Sequence, residues 1–338
     1  MKRVIIPKAG NSSVLALKEF PSLEVGPGEV RISVKASGLN FADIMARQGL
    51  YQDAPSFPFT AGYEVSGVID SIGDGVEEKW LGKPVMALTR FGGHASQVVV
   101  SLNQIFEKPG RLSYAQAAAI PVNYLTAWQA LVICGALQPE DTVLIHNVGG
   151  GVGLAALDIA QHIGATTIGT ASPGKHEYLL SRGLNHAIDY RNSDWYTELM
   201  HLTDGKGAEL ILDPLGGESW RKSYKALRAS GRLAMFGISV ASGNGIGSKL
   251  ALAKTAVMMP IFHPISLMNE NRSVFGINMG RLWHEPEKIR VWMGKIIAGV
   301  EEGWINPTVA ESFSFEDAAL AHDYIESRAN IGKVVLTP

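Results

Sequence analysis

The sequence predicts two folds in one chain: a β-rich, barrel-like part, then an α/β part whose helices cover both faces of a parallel sheet. Three observations point there. From Lys2 to about Pro109, short alternating runs such as "EVRISVKASG" and "YEVSGVIDSIG" are broken by Gly and Pro, as in small β-barrels. After "LSYAQAAAI", strand-like and helix-like segments alternate, which calls for parallel strands covered on both sides. At 338 residues the chain exceeds the usual single domain and can build two cores.

Apolar periodicity sets the elements of the second part. Strands are expected over 142–146, 166–170, 186–189, 208–213 and 231–236, with helices over 152–163, 174–182, 194–202 and 218–227. The tail adds a strand at "SVFGINM", a helix near 286–302 and a closing β segment, "IGKVVL". "LALAKTAVMMPIF", Leu250 to Phe262, carries Lys254 and Pro260 and reads as a buried or lid helix.

Composition narrows the function. A net charge of −2 with interspersed signs gives no support for a nucleic-acid or anionic-membrane partner. The single Cys134 rules out an intrachain disulfide and a multi-cysteine metal site, which fits a reducing compartment, with the cytoplasm expected. The start, "MKRVIIPKAG", is too short in apolar residues for a signal peptide, and no run reaches membrane-span length. Nine histidines lie scattered without ligand spacing.

The stretch "TVLIHNVGGGVGLAALDIA" carries the chemistry. Gly149, Gly150, Gly151 and Gly153 stand between a buried strand and a helix, where glycine admits close approach of a ligand and free N–H groups attract anions. A second strand ends about twenty residues on, as a dinucleotide site requires. Gly150 and Gly153 match that fingerprint, with Gly151 and Val152 opening the helix, whereas Val148 stands where the first glycine is usual. The plainer alternative is a tight connection only.

NAD sites place a carboxylate at the end of the second strand. Here "GTASPGKHEYL" offers Ser172 and Lys175, which suit a 2′-phosphate, so NADP is favoured over NAD. Ser172 as a helix cap and Lys175 as a surface charge are the plainer roles. Tyr190, at the next strand end, could close that pocket or simply pack.

"PVNYLTAW", "GGGVG" and the order of the two parts resemble the medium-chain dehydrogenase/reductase superfamily over essentially the whole chain. "GLNFADIMARQGLY", "GYEVSGVI", "GTASPGKHE", "ILDPLGG" and "IGKVVL" are similar to its zinc-free quinone oxidoreductases, especially the branch of the synaptic vesicle membrane protein homologues. The resemblance implies a GroES-like β-barrel catalytic domain formed by both chain ends, a Rossmann doubly wound parallel-sheet domain between them, and a homodimer. The boundaries expected are 1–120 for the first part of the catalytic domain and 121–265 for the NADP-binding domain. Residues 266–338 form a return that completes the sheet edge and the catalytic domain.

Zinc-dependent relatives hold a catalytic ion at places matched here by Asn40 and Tyr63, poor zinc ligands beside thiolate and imidazole, so no metal is expected. Hydride must then go to an acceptor that takes it unaided, an enone or quinone, whose developing oxyanion needs donors. Asn40 is the donor candidate; holding its turn is the alternative. Tyr51 resembles the position of a tyrosine acid in related enoyl-thioester reductases, with a wall of the substrate cleft as the alternative. Asp43 could orient Asn40 or Tyr51 or cap the helix, and Tyr63 lines the pocket. Thr126 resembles the family's contact to the nicotinamide ribose, joined by Asn123. Phe236 and Gly237 in "FGISV" and Lys333 in "IGKVVL" complete the coenzyme set, and "FGISV" with "MMPIFHPISLM" is expected to cover the acceptor in an interdomain cleft. The reaction expected is NADPH-dependent reduction of a quinone or α,β-unsaturated carbonyl compound, thioesters included; the alternative is an NADPH-binding protein that acts by association.

Overall fold

The computed structural model describes residues 1–239, 255 and 258–338. Two compact units emerge: Met1–Leu125 with Met279–Pro338, and Thr126–Asn278.

In the first unit, strands β1 (Lys2–Ile5) and β2 (Ala16–Glu19) pair as a hairpin. A larger seven-stranded sheet is built from β3 (Glu29–Leu39), β4 (Glu64–Ile72), β5 (Pro84–Leu88), β6 (Gln97–Ser101), β7 (Ile105–Glu107), β14 (Val309–Ser314) and β15 (Lys333–Thr337). Its order is β14-β15-β3-β4-β5-β7, with β6 also on β3. The chain's last strand therefore lies beside an early one, with Val335 opposite Gly38. Alternation decides which face is covered: Val30, Ile32 and Val34 of β3 point inward and meet Val65, Ile69, Val85 and Val98 in one apolar cluster. Helix α1 (Phe41–Arg47) follows β3 directly, and helix α2 (Tyr114–Ala118) packs on β3 and β4. Helix α3 (Pro121–Trp128) leads from this unit into the second.

The second unit is a six-stranded, all-parallel sheet of β8 (Thr142–His146), β9 (Thr166–Ala171), β10 (His186–Asp189), β11 (Ala208–Asp213), β12 (Leu227–Met235) and β13 (Ser273–Gly276). Its order, β10-β9-β8-β11-β12-β13, places the first strand at the centre and makes the doubly wound dinucleotide-binding topology. Helices α4 (Gly151–Ile163), α5 (His176–Ser181), α6 (Trp195–Leu202) and α7 (Glu218–Lys225) connect its first five strands. Leu144, Ile168, Ile188, Ile211 and Leu233 form the core beneath them. The fold class is the one expected, GroES-like plus Rossmann.

Some bounds differ. The segment read as helix 174–182 opens as a tight turn, Pro173–Lys175, because Pro173 and Gly174 do not propagate an α-helix. The strand read over 231–236 starts earlier, at Leu227, and "SVFGINM" is strand only to Gly276. Most of 250–257 lies outside the described residues; Thr255 is buried and helical, whereas 258–262 is not helical and Ile261 is 95% exposed. A separate helix follows at Pro264–Glu270. Among the described residues, no helix is long and apolar enough to cross a membrane.

Candidate active site

Strand β8 delivers the chain to the glycine turn at the carboxyl edge of the second unit's sheet. Gly150 caps α4, and its carbonyl accepts the Leu154 N–H at 2.9 Å. A Cβ on Gly153 would lie 2.5 Å from the carbonyl oxygens of both Asn147 and Val148, so only glycine lets α4 pack on the strand end. A Cβ on Gly150 would meet Asn147 Nδ2 at 2.7 Å. Gly151 and Val152, half-buried, form the first helical turn, whose N–H groups have no partner within the helix. The turn has the bare backbone and the helix start that a pyrophosphate needs.

Lys175 lies across this turn: a Cβ on Gly149 would meet its Cδ at 3.1 Å and its Nζ at 3.9 Å. Burial lowers the Lys175 pKa, and the Arg191 charge lowers it further. A lysine beside the glycine turn that feels a second cation is suited to a phosphate. Ser172 sits at the start of the tight turn and makes no side-chain capping bond, so its capping role is not seen. Tyr190 is 38% exposed at the end of β10, beside Arg191. The loop after β12 lies against the loop after β11: Phe236 N–H donates to Asp213 O at 3.4 Å, and a Cβ on Gly237 would be 2.9 Å from Pro214 O. Thr126 and Asn123, both buried, share α3, where Asn123 Nδ2 donates to Ala119 O at 3.1 Å.

In the first unit, Asn40 ends β3 and opens α1. Its Oδ1 accepts from Lys333 Nζ at 2.6 Å, and its Nδ2 donates to Glu64 Oε1 at 3.0 Å and to Gly38 O at 3.4 Å. Lys333 also pairs with Glu64, and Glu64 Oε2 accepts the Val122 N–H at 2.7 Å. Lys333 is 3% exposed and Glu64 is fully buried, so the pair is a desolvated one held by further hydrogen bonds. Lys333, expected to belong to the coenzyme set, is joined here to Asn40 and Glu64. Both Asn40 amide hydrogens point at acceptors of the fold; only the long bond to Gly38 O is weak enough to exchange readily.

Asp43 is fully buried and takes the backbone N–H of Asn40 at 2.8 Å and of Gly62 at 2.9 Å, with His94 Nε2 at 3.6 Å. Burial pushes its pKa up, but His94 and the two amides prevail and hold it below the ordinary value. It thus fastens the chain around Asn40 and Gly62 through their backbone amides. Tyr51 and Tyr63 meet edge to face, ring centres 6.1 Å apart, and Tyr63 meets Phe91 at 5.1 Å. Burial, then the Asp43 charge and the Tyr51 hydroxyl, drive the Tyr63 pKa far upward, so its phenol keeps its proton. Tyr51 is the less buried of the two. Ile261, Ile265 and Met268, read as a cover for the acceptor, are 95%, 60% and 77% exposed.

Three residues escaped the sequence reading. Arg191 had a signal, a basic residue straight after a strand end. Glu64 sits in the quoted "GYE", but only the fold brings it to Lys333, 269 positions away. His94 had no local signal at all.

Among the described residues, no group of three His, Cys, Asp or Glu side chains could hold a metal ion. The model for the alcohol dehydrogenase GroES-like domain matches residues 26–129, and that for zinc-binding dehydrogenase matches 151–293. The chain is 39% identical to the synaptic vesicle membrane protein VAT-1 homolog of Danio rerio over 311 residues, covering 92% of this chain and 64% of that protein, so it spans about two thirds of the relative's length. It is 30% identical to a quinone oxidoreductase of Pseudomonas aeruginosa, covering 100% of this chain and 99% of that one. The crystal structure of Escherichia coli quinone oxidoreductase complexed with NADPH superposes with a TM-score of 0.88 at 28% identity and covers 100% of both chains. The chain belongs to the medium-chain dehydrogenase/reductase superfamily. Within it, its similarities run to the VAT-1 homologues and the quinone oxidoreductases, and it is an oxidoreductase of that superfamily by kinship.

Proposed function

We propose that the protein is a zinc-independent, NADPH-dependent reductase of quinones or α,β-unsaturated carbonyl compounds. One observation supports this most: a glycine turn at a helix start with Lys175 lying across it and Arg191 close by. Gly150, Gly151, Val152 and Gly153 would hold the pyrophosphate through backbone N–H groups, and Ser172, Lys175, Tyr190 and Arg191 the 2′-phosphate. Asn123, Thr126, Phe236 and Gly237 complete the coenzyme side. NADPH, when bound, supplies the hydride.

The first unit handles the acceptor. An enone gaining hydride at carbon places negative charge on oxygen, which a hydrogen-bond donor must meet. Tyr51 is the donor best placed in chemistry: a phenol whose ring packs edge to face on Tyr63. Asn40 contributes by releasing Gly38 O, its amide kept in orientation by Lys333. Tyr63 and Phe91 offer an aromatic wall. The side chains at the zinc places of the zinc-dependent relatives, Asn40 and Tyr63, do not suit that ion.

Oxidation of NADPH by a panel of quinones, enones and enoyl thioesters, followed by absorbance, tests the reading. Turnover with one class supports it and names the class. The exposed Ile261, Ile265 and Met268 favour a second reading, an NADPH-binding protein that acts by association; failure of every acceptor despite NADPH binding would select it. A homodimer is proposed through β13, whose outer edge has no paired strand among the described residues, and sedimentation would report it.

A further inference from the structure

We propose that His146 is a positioning residue: through Ser223 and Thr170 it links the Asp213 carboxylate to the backbone amide of Asn147, and so holds the glycine turn in shape. Its link to catalysis rests on the reading that this turn takes the coenzyme.

His146 is the last residue of β8 and is 2% exposed. Its Nδ1 lies 3.0 Å from Thr170 Oγ1 and its Nε2 3.2 Å from Ser223 Oγ. Which atom carries each hydrogen follows by elimination. Ser223 Oγ donates to Asp213 Oδ2 at 2.7 Å. A hydroxyl has one hydrogen, so Ser223 can only receive from the ring, and Nε2 must carry the proton. Nδ1 of the neutral ring is then an acceptor and takes the Thr170 hydroxyl hydrogen. Thr170 Oγ1, its hydrogen spent, accepts the Asn147 N–H at 3.3 Å. The bonds thus run in one sense, from Asn147 through Thr170, His146 and Ser223 to Asp213, and such chains reinforce one another.

Asn147 is the hinge of the turn. It stands in the left-handed region at φ 54°, and its carbonyl accepts the Gly150 N–H at 2.9 Å. Rotation of its peptide would move the amides at the start of α4. The same carboxylate also governs the "DPLGG" loop: Asp213 Oδ1 accepts the Leu215 N–H at 2.8 Å, and Ser219 Oγ donates to Oδ2 at 2.7 Å. The carboxyl ends of β8, β9 and β11 are therefore tied through one imidazole. Trp195 packs edge-on against the ring at 4.6 Å, and Asp213 and Lys222 are the charges that face it; burial leads in keeping it neutral. The order also excludes nucleophilic catalysis, since the serine stands between imidazole and carboxylate and gives its hydrogen to the carboxylate.

Ser223→Ala and Thr170→Val each remove one link and leave the imidazole itself in place. NMR of the uncomplexed protein should show the His146 ring with hydrogen on Nε2, and Ser223→Ala should raise amide exchange at Asn147, although Ser223 does not touch it. In titrations with NADPH, each variant is expected to bind about three- to tenfold more weakly, and the double variant little worse than the weaker single one. Unchanged Asn147 exchange in Ser223→Ala, or losses that multiply, would overturn the proposal. Coupled exchange in a protein that takes up no NADPH would support the positioning of the turn and sink the coenzyme reading alone.

Discussion

Lys333 Nζ donates to Asn40 Oδ1 at 2.6 Å, and the contact joins the end of the chain to the turn between its first long strand and helix. Because an ammonium can only donate, the Asn40 carbonyl faces Lys333 and the NH₂ faces Glu64. Removing the ammonium in Lys333→Met leaves the buried Glu64 carboxylate without its cation. A loss of about 3 to 5 kcal/mol in urea unfolding is expected; a loss within error of zero would show that Glu64 is solvated or protonated.

Tyr51→Phe removes the proposed donor and keeps the ring contact with Tyr63. The turnover number with an enone should fall, with NADPH affinity held. Asn40→Ala should lower turnover as well, since it frees Lys333 and Glu64 from their shared partner. If either variant loses NADPH affinity instead, its assignment to the acceptor side is wrong.

Lys175→Ala should weaken NADPH binding by about 1 to 3 kcal/mol and leave NADH binding nearly unchanged, because only the former has a 2′-phosphate. Arg191→Ala should act in the same direction and less strongly, being the more exposed cation. Parallel losses for both coenzymes would place these cations elsewhere.

Gly153→Ala puts a methyl group 2.5 Å from two carbonyl oxygens. Backbone must shift to admit it, at about 1 to 3 kcal/mol. Both melting temperature and NADPH affinity should drop. Gly110→Ala, with open space around the added carbon and away from the proposed coenzyme site, is the control and should change neither.

Acid should destabilise the protein through His322. It is buried, and burial, then Arg47 and His94, bring its pKa down to about 3 against the opposing pull of Asp43. The unfolded chain takes up this proton near pH 6.5, but the folded one only near 3, so stability is complete above 6.5 and declines as pH falls toward 3. The slope from this group approaches about 1.4 kcal/mol per pH unit. His322→Leu should flatten the decline in a denaturant series; an unaltered slope would assign acid loss to other groups.

Much of this was legible before any coordinates because the signals are local. Period-two alternation marked the barrel strands, short apolar runs between helical segments marked the parallel ones, and Gly153 could be read because the constraint on it comes from residues five and six positions earlier. The proposed phosphate pocket was half legible: Lys175 sits in the turn after β9, but Arg191 is brought near it by the pairing of β10 with β9. Asn40 was read as a donor from its match to a zinc-ligand place, and nothing nearby in sequence announced that Glu64 and Lys333 would engage its amide. Asp43 showed the reverse, a capping signal whose second bond, to Gly62, needed the tertiary fold.

Equilibrium titration with NADPH, read by fluorescence or calorimetry, tests the central claim most directly. Saturable uptake of one coenzyme per chain, tighter than NADH and weakened in Lys175→Ala, is the predicted result. No uptake, or uptake indifferent to Lys175 and to the 2′-phosphate, would contradict it.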